Sequence, residues 1–244
     1  MRPGPPVRPD DLSGNDQVVG PAIGSGLRSL VAVCAHPDDE SFGLGAVIDA
    51  LVGQGVSTAV LSFTRGEAST LHGAGGDLGA IRAGEFSAAA DVLGVADVLL
   101  LDHPDGGLRD VDLDVLVAEV VGLASTVGAN GLLAFDSGGI TGHPDHQRAT
   151  DAAQCAGDHL DIPVLAWSVP AKVAASLNAS FGTSFIGRRE DEVDIVLRVD
   201  RQTQTRAIAC HASQSIDNPV LWQRLDLMGE FEWLRWLREP RLPS

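Results

Sequence analysis

The sequence predicts an α/β fold, a Rossmann-like three-layer sandwich in which helices flank a mainly parallel central sheet. Two observations lead to this prediction. Along most of the chain, short apolar segments with strand character alternate with longer segments whose apolar residues recur at helical spacing. In addition, the apolar segments 30–35 and 132–135 each lead into a cluster of His, Pro and Asp residues. Ligands bind in open α/β sheets at the carboxyl ends of the strands, where such clusters are expected.

The individual elements follow from local patterns. Residues 30–35 predict a buried parallel strand because the segment is short, apolar and partly β-branched, and Pro37 then prevents the ladder from continuing. Apolar residues at helical spacing from Phe42 to Leu51 predict a helix, and residues 56–63 predict the second strand. Later segments predict helices over 81–93, 111–127, 147–159 and 201–212, strands over 98–101, 132–135 and 164–169, and an edge strand over 195–199.

The segment 66–79 is rich in glycine and poor in apolar residues. It predicts a loop long enough to be a lid or a substrate-facing segment. We reject a dinucleotide site, because the first strand leads into His-Pro-Asp-Asp and lacks the glycine fingerprint through which a pyrophosphate approaches a helix. Carboxylates at that position would repel phosphate.

Composition sets further bounds. A chain of 244 residues with 44% hydrophobic residues suits a single domain over 28–244, preceded by a Pro/Gly-rich arm over 1–27. A net charge of -16 argues against nucleic acid or an anionic membrane as a partner. Cys34, Cys155 and Cys210 are far apart in apolar-periodic segments, which predicts buried free thiols. No segment has the pattern of a signal peptide or a membrane span, so we expect a cytoplasmic protein.

The two polar clusters suggest a metal site. His36 and Asp39 are three residues apart and would face one crevice if the chain turns into a helix after Pro37. Capping of that helix would need only one carboxylate. The second cluster, residues 142–146, adds His residues that reach the same edge of a parallel sheet. A catalytic zinc site needs three N or O ligands and an open position, which these residues can supply.

The same residues carry a family resemblance. The segment AHPDDE at 35–40 and the segment HPDH at 143–146 resemble the signatures of the LmbE/PIG-L family of zinc-dependent N-deacetylases, which act on N-acetylglucosamine-containing substrates. Segments 64–67 and 207–214 also match, so the resemblance spans roughly residues 28 to 215. It implies one Zn²⁺ per chain, with Fe²⁺ as an alternative, held by a set of three ligands: His36, Asp39 and His146.

The resemblance also implies catalytic roles. Asp38 would act as the general base and later deliver the proton to the leaving amine. His143, in its protonated form, would stabilise the oxyanion of the tetrahedral intermediate, and Asp145 would keep His143 charged. Helix capping is the alternative for Asp38 and for Asp145.

Three residues are candidates for substrate binding. The resemblance implies that Arg65 contacts a substrate hydroxyl or phosphate, and a salt bridge with Glu67 or Glu85 is the alternative. Asp105 precedes two glycines and is expected either to bind a sugar hydroxyl or to form an ordinary turn. His211 lies in a matching segment and is either part of the site or a structural residue of a helix.

The implied reaction is amide hydrolysis of an N-acetyl amino sugar, releasing acetate and a free amine. A zinc amidase of thiol conjugates and a non-catalytic metal-holding carbohydrate-binding protein are the alternatives. Some family members place a Tyr shortly before HPDH, whereas this chain contains no Tyr, so the acceptor attached to the sugar stays open. Trp222, Trp233 and Trp236 predict core packing or a subunit contact, and a homo-oligomer is possible.

Overall fold

The computed structural model describes residues 26–71 and 76–240. The predicted arm over 1–27 lies almost entirely outside the described residues. Within the described residues the chain forms an eight-stranded sheet. Its strands are β1 (Ser29–Cys34), β2 (Ser57–Thr64), β3 (Asp97–His103), β4 (Leu132–Phe135), β5 (Val164–Pro170), β6 (Gly187–Arg188), β7 (Ile195–Arg198) and β8 (Phe231–Arg238).

The strand order confirms the predicted fold class. The order is β3-β2-β1-β4-β5-β8-β7, and β6 pairs with the end of β5. The first five strands are parallel, and β8 runs antiparallel between β5 and β7. The chain proceeds from β1 outward through β2 to β3, and then crosses to β4 on the other side of β1. This reversal opens a crevice at the carboxyl ends of β1 and β4, the usual ligand site of such sheets.

Helices cover both faces of the sheet, as their contacts with its two cores show. They are α1 (Asp39–Phe42), α2 (Gly45–Gly53), α3 (Leu78–Leu93), α4 (Leu113–Thr126), α5 (Gly139–Gly142), α6 (Pro144–Leu160), α7 (Ala171–Phe181), α8 (Gln202–Cys210), α9 (Ala212–Ser215) and α10 (Pro219–Met228). The predicted helix over 42–51 is divided between α1 and α2. Helices α7 and α10 and strand β8 are absent from the sequence-based prediction.

Successive side chains of β1 point to opposite faces of the sheet and so belong to two different hydrophobic cores. Leu30 and Ala32 pack with residues of α2, α3 and α7, whereas Val31 and Val33 pack with residues of α4 and α6. All of β1 is buried, as expected for a central parallel strand covered on both faces. The strand therefore delivers the polar residues that follow it to a fixed point on the sheet edge.

Burial bears on two expectations from the sequence. Trp233 lies in the core on β8, whereas Trp222 is 41% exposed. Cys34, Cys155 and Cys210 are free thiols, but only Cys34 is buried, so the expectation of three buried thiols is wrong.

In the part of the chain that the structure describes, every helix is too short or too polar to cross a bilayer.

We expect the packing of α6 on β5 to be sensitive to one methyl group. A Cβ on Gly157 would lie 2.3 Å from Val164 Cγ2, so Gly157→Ala should destabilise the protein by about 1–3 kcal/mol through overpacking. For a domain of this size the thermal midpoint should fall by about 2–4 °C per kcal/mol.

Gly122→Ala on α4 is the matched control, because Gly122 is exposed and no atom lies within 4 Å of the position that its Cβ would take. Alanine should stabilise this helix by up to about 1 kcal/mol. Equal thermal midpoints for the two variants would contradict the proposed packing constraint.

Candidate active site

The crevice beyond β1 and β4 contains a cavity of about 540 Å³. Residues of the segments after β1 and β4 form one wall, and residues 68–71 of the glycine-rich loop form another. This loop therefore faces the cavity, as the sequence predicts; its residues 72–75 lie outside the described residues. The side chains at the base of the cavity include His36, Asp38, Asp39, His143 and His146.

His36, Asp39 and His146 bring three ligand atoms together. His36 Nδ1 lies 3.2 Å from His146 Nε2, and Asp39 Oδ1 lies 3.3 Å from the same nitrogen. Donor atoms of the three residues lie within 4.8 Å of one another. Two imidazole nitrogens and one carboxylate oxygen match the donor set of catalytic zinc sites, and the cavity leaves their remaining side open.

Each of these side chains is oriented by a second contact. His36 Nε2 lies 3.0 Å from Asp105 Oδ1, and His146 Nδ1 lies 3.2 Å from the carbonyl oxygen of Gly139. Asp39 Oδ2 accepts hydrogen bonds of 3.0 Å from the amides of Ala35 and His36. Such outer contacts fix the ring orientation of ligating histidines in metal sites, so the arrangement is suited to a metal ion.

A second set, His36, His143 and Asp145, also has donor atoms within 4.8 Å of one another. Asp145 is less suited to bind an ion, because its two oxygens already accept hydrogen bonds from the amides of Gly106 (2.7 Å) and Leu108 (3.2 Å). We therefore take the set with Asp39 as the candidate metal centre.

Asp38 has a strained backbone and a perturbed carboxyl group. Its φ of 129° is rare for a residue other than glycine. Burial raises the pKa of Asp38 to about 6, Arg82 opposes this shift, and the charge of Asp39 adds to it. The side chain makes no hydrogen bond to the start of α1, which argues against a capping role. A strained residue with a shifted pKa in a cavity is typical of a functional group.

Arg82 is a site residue to which sequence reasoning gave no role. It is buried on α3 and its Nη2 lies 3.0 Å from Asp38 Oδ2. Its guanidinium also donates to the carbonyl oxygens of Pro37 and Gly66. A Cβ on Gly66 would lie 2.1 Å from Arg82 Nη1, and the φ of Gly66 is +65°, so only glycine permits this approach. Arg82 thus fixes the position of the Asp38 carboxylate.

His143 and Asp145 contact each other through a backbone amide. Instead of pairing through its carboxylate, Asp145 donates its backbone amide to His143 Nδ1 at 3.2 Å, which makes His143 the cap of α6. Burial, with the nearby His146 and His36, holds the pKa of His143 below its usual value. An Nδ1 that accepts a hydrogen bond carries no proton. The charges of Asp145 and Asp39 act on this pKa in the opposite direction, so the expected role of Asp145 stays a prediction.

Of the three substrate-binding candidates, Asp105 alone lines the cavity. Its oxygens face His36 Nε2 and the amide of Ala68 (2.8 Å), which makes it an orienting partner of His36. Arg65 pairs with Asp102 at 2.9 Å instead of Glu67 or Glu85, and lies outside the cavity lining.

His211 is fully buried outside the cavity lining, so it does not contact a substrate there. Its Nε2 lies 2.6 Å from Glu40 Oε1, and Glu40 Oε2 accepts the amide of Asp38 at 2.9 Å. Burial opposes the charge of His211, but the Glu40 carboxylate raises its pKa above the ordinary value. The buried Glu40–His211 pair thus stabilises the strained backbone of Asp38 through the hydrogen bond from the Asp38 amide to Glu40.

The sequence is similar to a known family. Residues 31–156 match the family described as PIG-L, GlcNAc-PI de-N-acetylase. A 1D-myo-inositol 2-acetamido-2-deoxy-alpha-D-glucopyranoside deacetylase of Salinispora arenicola is 33% identical over 172 residues, which are 60% of this chain and 54% of the relative. The protein of the same name from Acidothermus cellulolyticus is 30% identical over 79% of this chain and 82% of its own length. The chain spans about half the length of several of the curated relatives it matches.

Solved structures show the same fold. N,N'-diacetylchitobiose deacetylase from Pyrococcus horikoshii superposes with a TM-score of 0.65 at 19% identity, covering 88% of this chain and 85% of that chain. GalB, the 4-carboxy-2-hydroxymuconate hydratase of Pseudomonas putida, superposes with a TM-score of 0.68 at 20% identity, covering 89% and 98%. Because a deacetylase and a hydratase both share it, the fold does not fix the reaction.

We expect the buried Glu40–His211 pair to be important for stability. His211→Gln should lower the free energy of unfolding by about 3–5 kcal/mol, because it leaves the Glu40 carboxylate buried without its cation. Removing that charge as well, in Glu40→Gln/His211→Gln, should recover part of the loss. Chemical denaturation of the three proteins measures both effects, and a double variant less stable than His211→Gln would contradict the pairing.

The same comparison should depend on pH. Because the pKa of His211 is raised in the folded state, its charge stabilises the fold fully below the unfolded pKa of about 6.5. This contribution is lost as the pH rises through the folded-state pKa. The stability difference between wild type and His211→Gln should therefore shrink toward alkaline pH.

Proposed function

Since the chain belongs to the PIG-L family, we propose that it is a metal-dependent hydrolase that removes the acetyl group from an N-acetylglucosamine-containing small molecule or glycoconjugate. The observation that carries the proposal is the presence, in one cavity, of a three-donor set beside a separate carboxyl group with a raised pKa, that of Asp38. Holding a metal requires only the first of these features, whereas hydrolysis requires both.

In this proposal His36, Asp39 and His146 hold one Zn²⁺ per chain, and Fe²⁺ is an alternative with the same ligands. When bound, the ion supplies polarisation of the amide carbonyl and activation of water at neutral pH. The orienting contacts of His36 with Asp105, and of His146 with the Gly139 carbonyl, favour this ligand set.

Asp38 is the proposed general base. Its carboxylate takes a proton from the attacking water and passes that proton to the amine as the C–N bond breaks. The products are acetate and the free amino sugar. The side chain lines the cavity beside the three donors, and its burial raises its pKa, which favours proton uptake. Arg82 keeps the carboxylate in position.

His143 is the proposed stabiliser of the oxyanion, with a changed protonation state. Because Nδ1 accepts the Asp145 amide, the neutral ring carries its proton on Nε2. That N–H is available to donate to the oxygen that becomes negative in the tetrahedral intermediate. Asp145 then supports the site by fixing the segment at 106–108 and by facing His36 at 3.4 Å.

The compartment and the substrate are part of the same proposal. Three free cysteines fit a reducing cytoplasm. Relatives named as deacetylases of 2-acetamido sugars favour a small N-acetyl amino sugar as substrate. A zinc amidase of thiol conjugates would use the same residues, and acetate release distinguishes the two. A hydratase would release neither acetate nor an amine.

We predict that the purified protein binds about one divalent ion per chain and that His146→Ala loses it, because two donors remain from a three-ligand set. Metal analysis after dialysis measures the occupancy. His159→Ala is the matched control, since His159 is an exposed residue on the same helix. Full occupancy in His146→Ala would show that the ligand assignment is wrong.

We also predict that Asp38→Asn lowers kcat by about 10²-fold or more, the usual contribution of a positioned general base, while the metal content stays the same. Acetate release from N,N'-diacetylchitobiose and N-acetylglucosaminyl-inositol is the assay. In wild type, kcat/KM should fall toward acid pH as Asp38 takes up a proton.

Asp102→Asn is the control for this variant, because the Asp102 carboxylate is 84% exposed and lies outside the cavity lining. It should retain wild-type turnover. Full activity in Asp38→Asn would instead remove Asp38 from the reaction.

A further inference from the structure

The far side of the cavity is lined mainly by aromatic side chains and contains one buried cation. Phe135 lies next to His146, with ring centroids 5.0 Å apart, and Trp167 lies 5.4 Å beyond Phe135. Arg224 stacks over Trp167, its guanidinium carbon 5.0 Å from the ring centroid. The cavity lining includes Phe42, Phe135, Trp167, Phe185 and Arg224, together with polar residues such as Gln214 and Asn218. A path of aromatic contacts therefore leads from the candidate metal centre to Arg224.

Arg224 is a charge without an ionic partner. It is only 6% exposed on α10, and no carboxylate oxygen of the described residues lies within 4.0 Å of its guanidinium. Its Nη2 donates to the carbonyl oxygen of Phe42, and its Nε is buried without an acceptor. Burying an unpaired guanidinium is unfavourable, because the charge loses its hydration and gains little in return.

Neighbouring groups do not neutralise this charge. Glu232 and Asp39 act on Arg224 only at longer range. The oxygens of Glu232 are occupied by Arg201 and by the indole N–H of Trp167. Those of Asp39 face His146 and two backbone amides. Burial lowers the pKa of Arg224 to about 10, which leaves it positively charged at neutral pH. The cavity lining therefore includes one positively charged guanidinium, that of Arg224, whose hydrogen-bond donors are not all used within the protein.

We propose that Arg224 is the anchor for a carboxylate group of the substrate. A carboxylate that enters the cavity supplies the counter-ion that the protein lacks there, and a guanidinium binds it through charge-assisted hydrogen bonds. The chemistry is the same whether the carboxylate ends the acyl chain or belongs to the group attached to the sugar. This inference rests on the proposed amide hydrolysis. It gives the amino sugar substrate a carboxylate, and where that carboxylate ends the acyl chain the acid released is a dicarboxylate in place of acetate.

Two matched substrate pairs test the proposal on the metal-loaded protein. N-succinylglucosamine is compared with its N-succinamoyl analogue, and a carboxymethyl N-acetylglucosaminide with its carboxamidomethyl analogue. The acid of one pair should have a kcat/KM about 10- to 100-fold higher than its amide, the usual value of a hydrogen bond to a charged group. The pair that shows the preference identifies the side of the substrate that carries the carboxylate.

Variants assign the preference to Arg224. In Arg224→Met the acid-to-amide ratio should fall to about one, and in Arg224→Lys, which keeps the charge, it should be partly retained. Arg206→Met on α8 removes an exposed arginine and should leave the ratio unchanged. A wild-type ratio near one for both pairs would overturn the proposal whatever the variants do, and so would a preference that survives in Arg224→Met.

Binding separates this inference from the proposed function. Succinate should bind the wild-type protein at least about tenfold more tightly than it binds Arg224→Met, as measured by calorimetry, with succinamide as the neutral control. If no amide is hydrolysed but succinate binding depends on Arg224, the anion site stands and the proposed reaction fails. If amides are hydrolysed while succinate binds both proteins equally, the reaction stands and the anion site is wrong.

Discussion

The carboxylate of Asp39 is the group on which the rest of the site depends. One oxygen accepts the two amides that follow β1, and the other faces His146 from the segment after β4. Burial opposes its charge, but His146, His36 and the backbone amide of His36 hold its pKa well below the usual range. A single ionised side chain thus joins the two strand ends at the point where the strand order reverses. Without it, two histidines with nitrogens 3.2 Å apart would have no shared anion between them.

Three consecutive acidic residues around this point each contact a different basic side chain or pair of side chains. Asp38 contacts Arg82 on α3, Asp39 contacts the two imidazoles, and Glu40 contacts His211 after α8. Breaking a buried pair of this kind costs about 3–5 kcal/mol, because the remaining charge is left uncompensated. The packing of α3 and α8 against the sheet is therefore coupled to the geometry of the site. The strained φ of Asp38 is maintained because its amide, its carboxylate and the carbonyl before it are all held by these partners.

The sequence is sufficient to predict the parallel half of the fold and the approach of the two polar clusters. Strands β1, β4 and β5 are continuous apolar segments, and buried parallel strands have this pattern. Strand β8 is harder to predict because apolar and charged residues alternate irregularly along it. Both of its neighbouring strands are antiparallel to it, so it does not continue the parallel pattern of the first five strands. The contacts of Asp145 are hard to predict for a related reason. Its carboxylate is bound by amides near 106–108, a contact between segments almost 40 residues apart that no local spacing reveals.

The site residues that the sequence did not predict are both buried arginines. Arg82 and Arg224 lie on helices whose own sequence gives no reason to bury a charge, and each is explained only by a distant partner or by the cavity. The match to the PIG-L family ends at residue 156, so it includes the candidate ligands, Asp38 and Arg82, whereas Trp167, Phe185 and Arg224 follow it. Binding energy that distinguishes one substrate from another comes from contacts away from the reacting bond. In this chain part of the cavity lining, including Trp167 and Arg224, lies beyond the family match, so the motifs indicate a reaction while leaving the acceptor open.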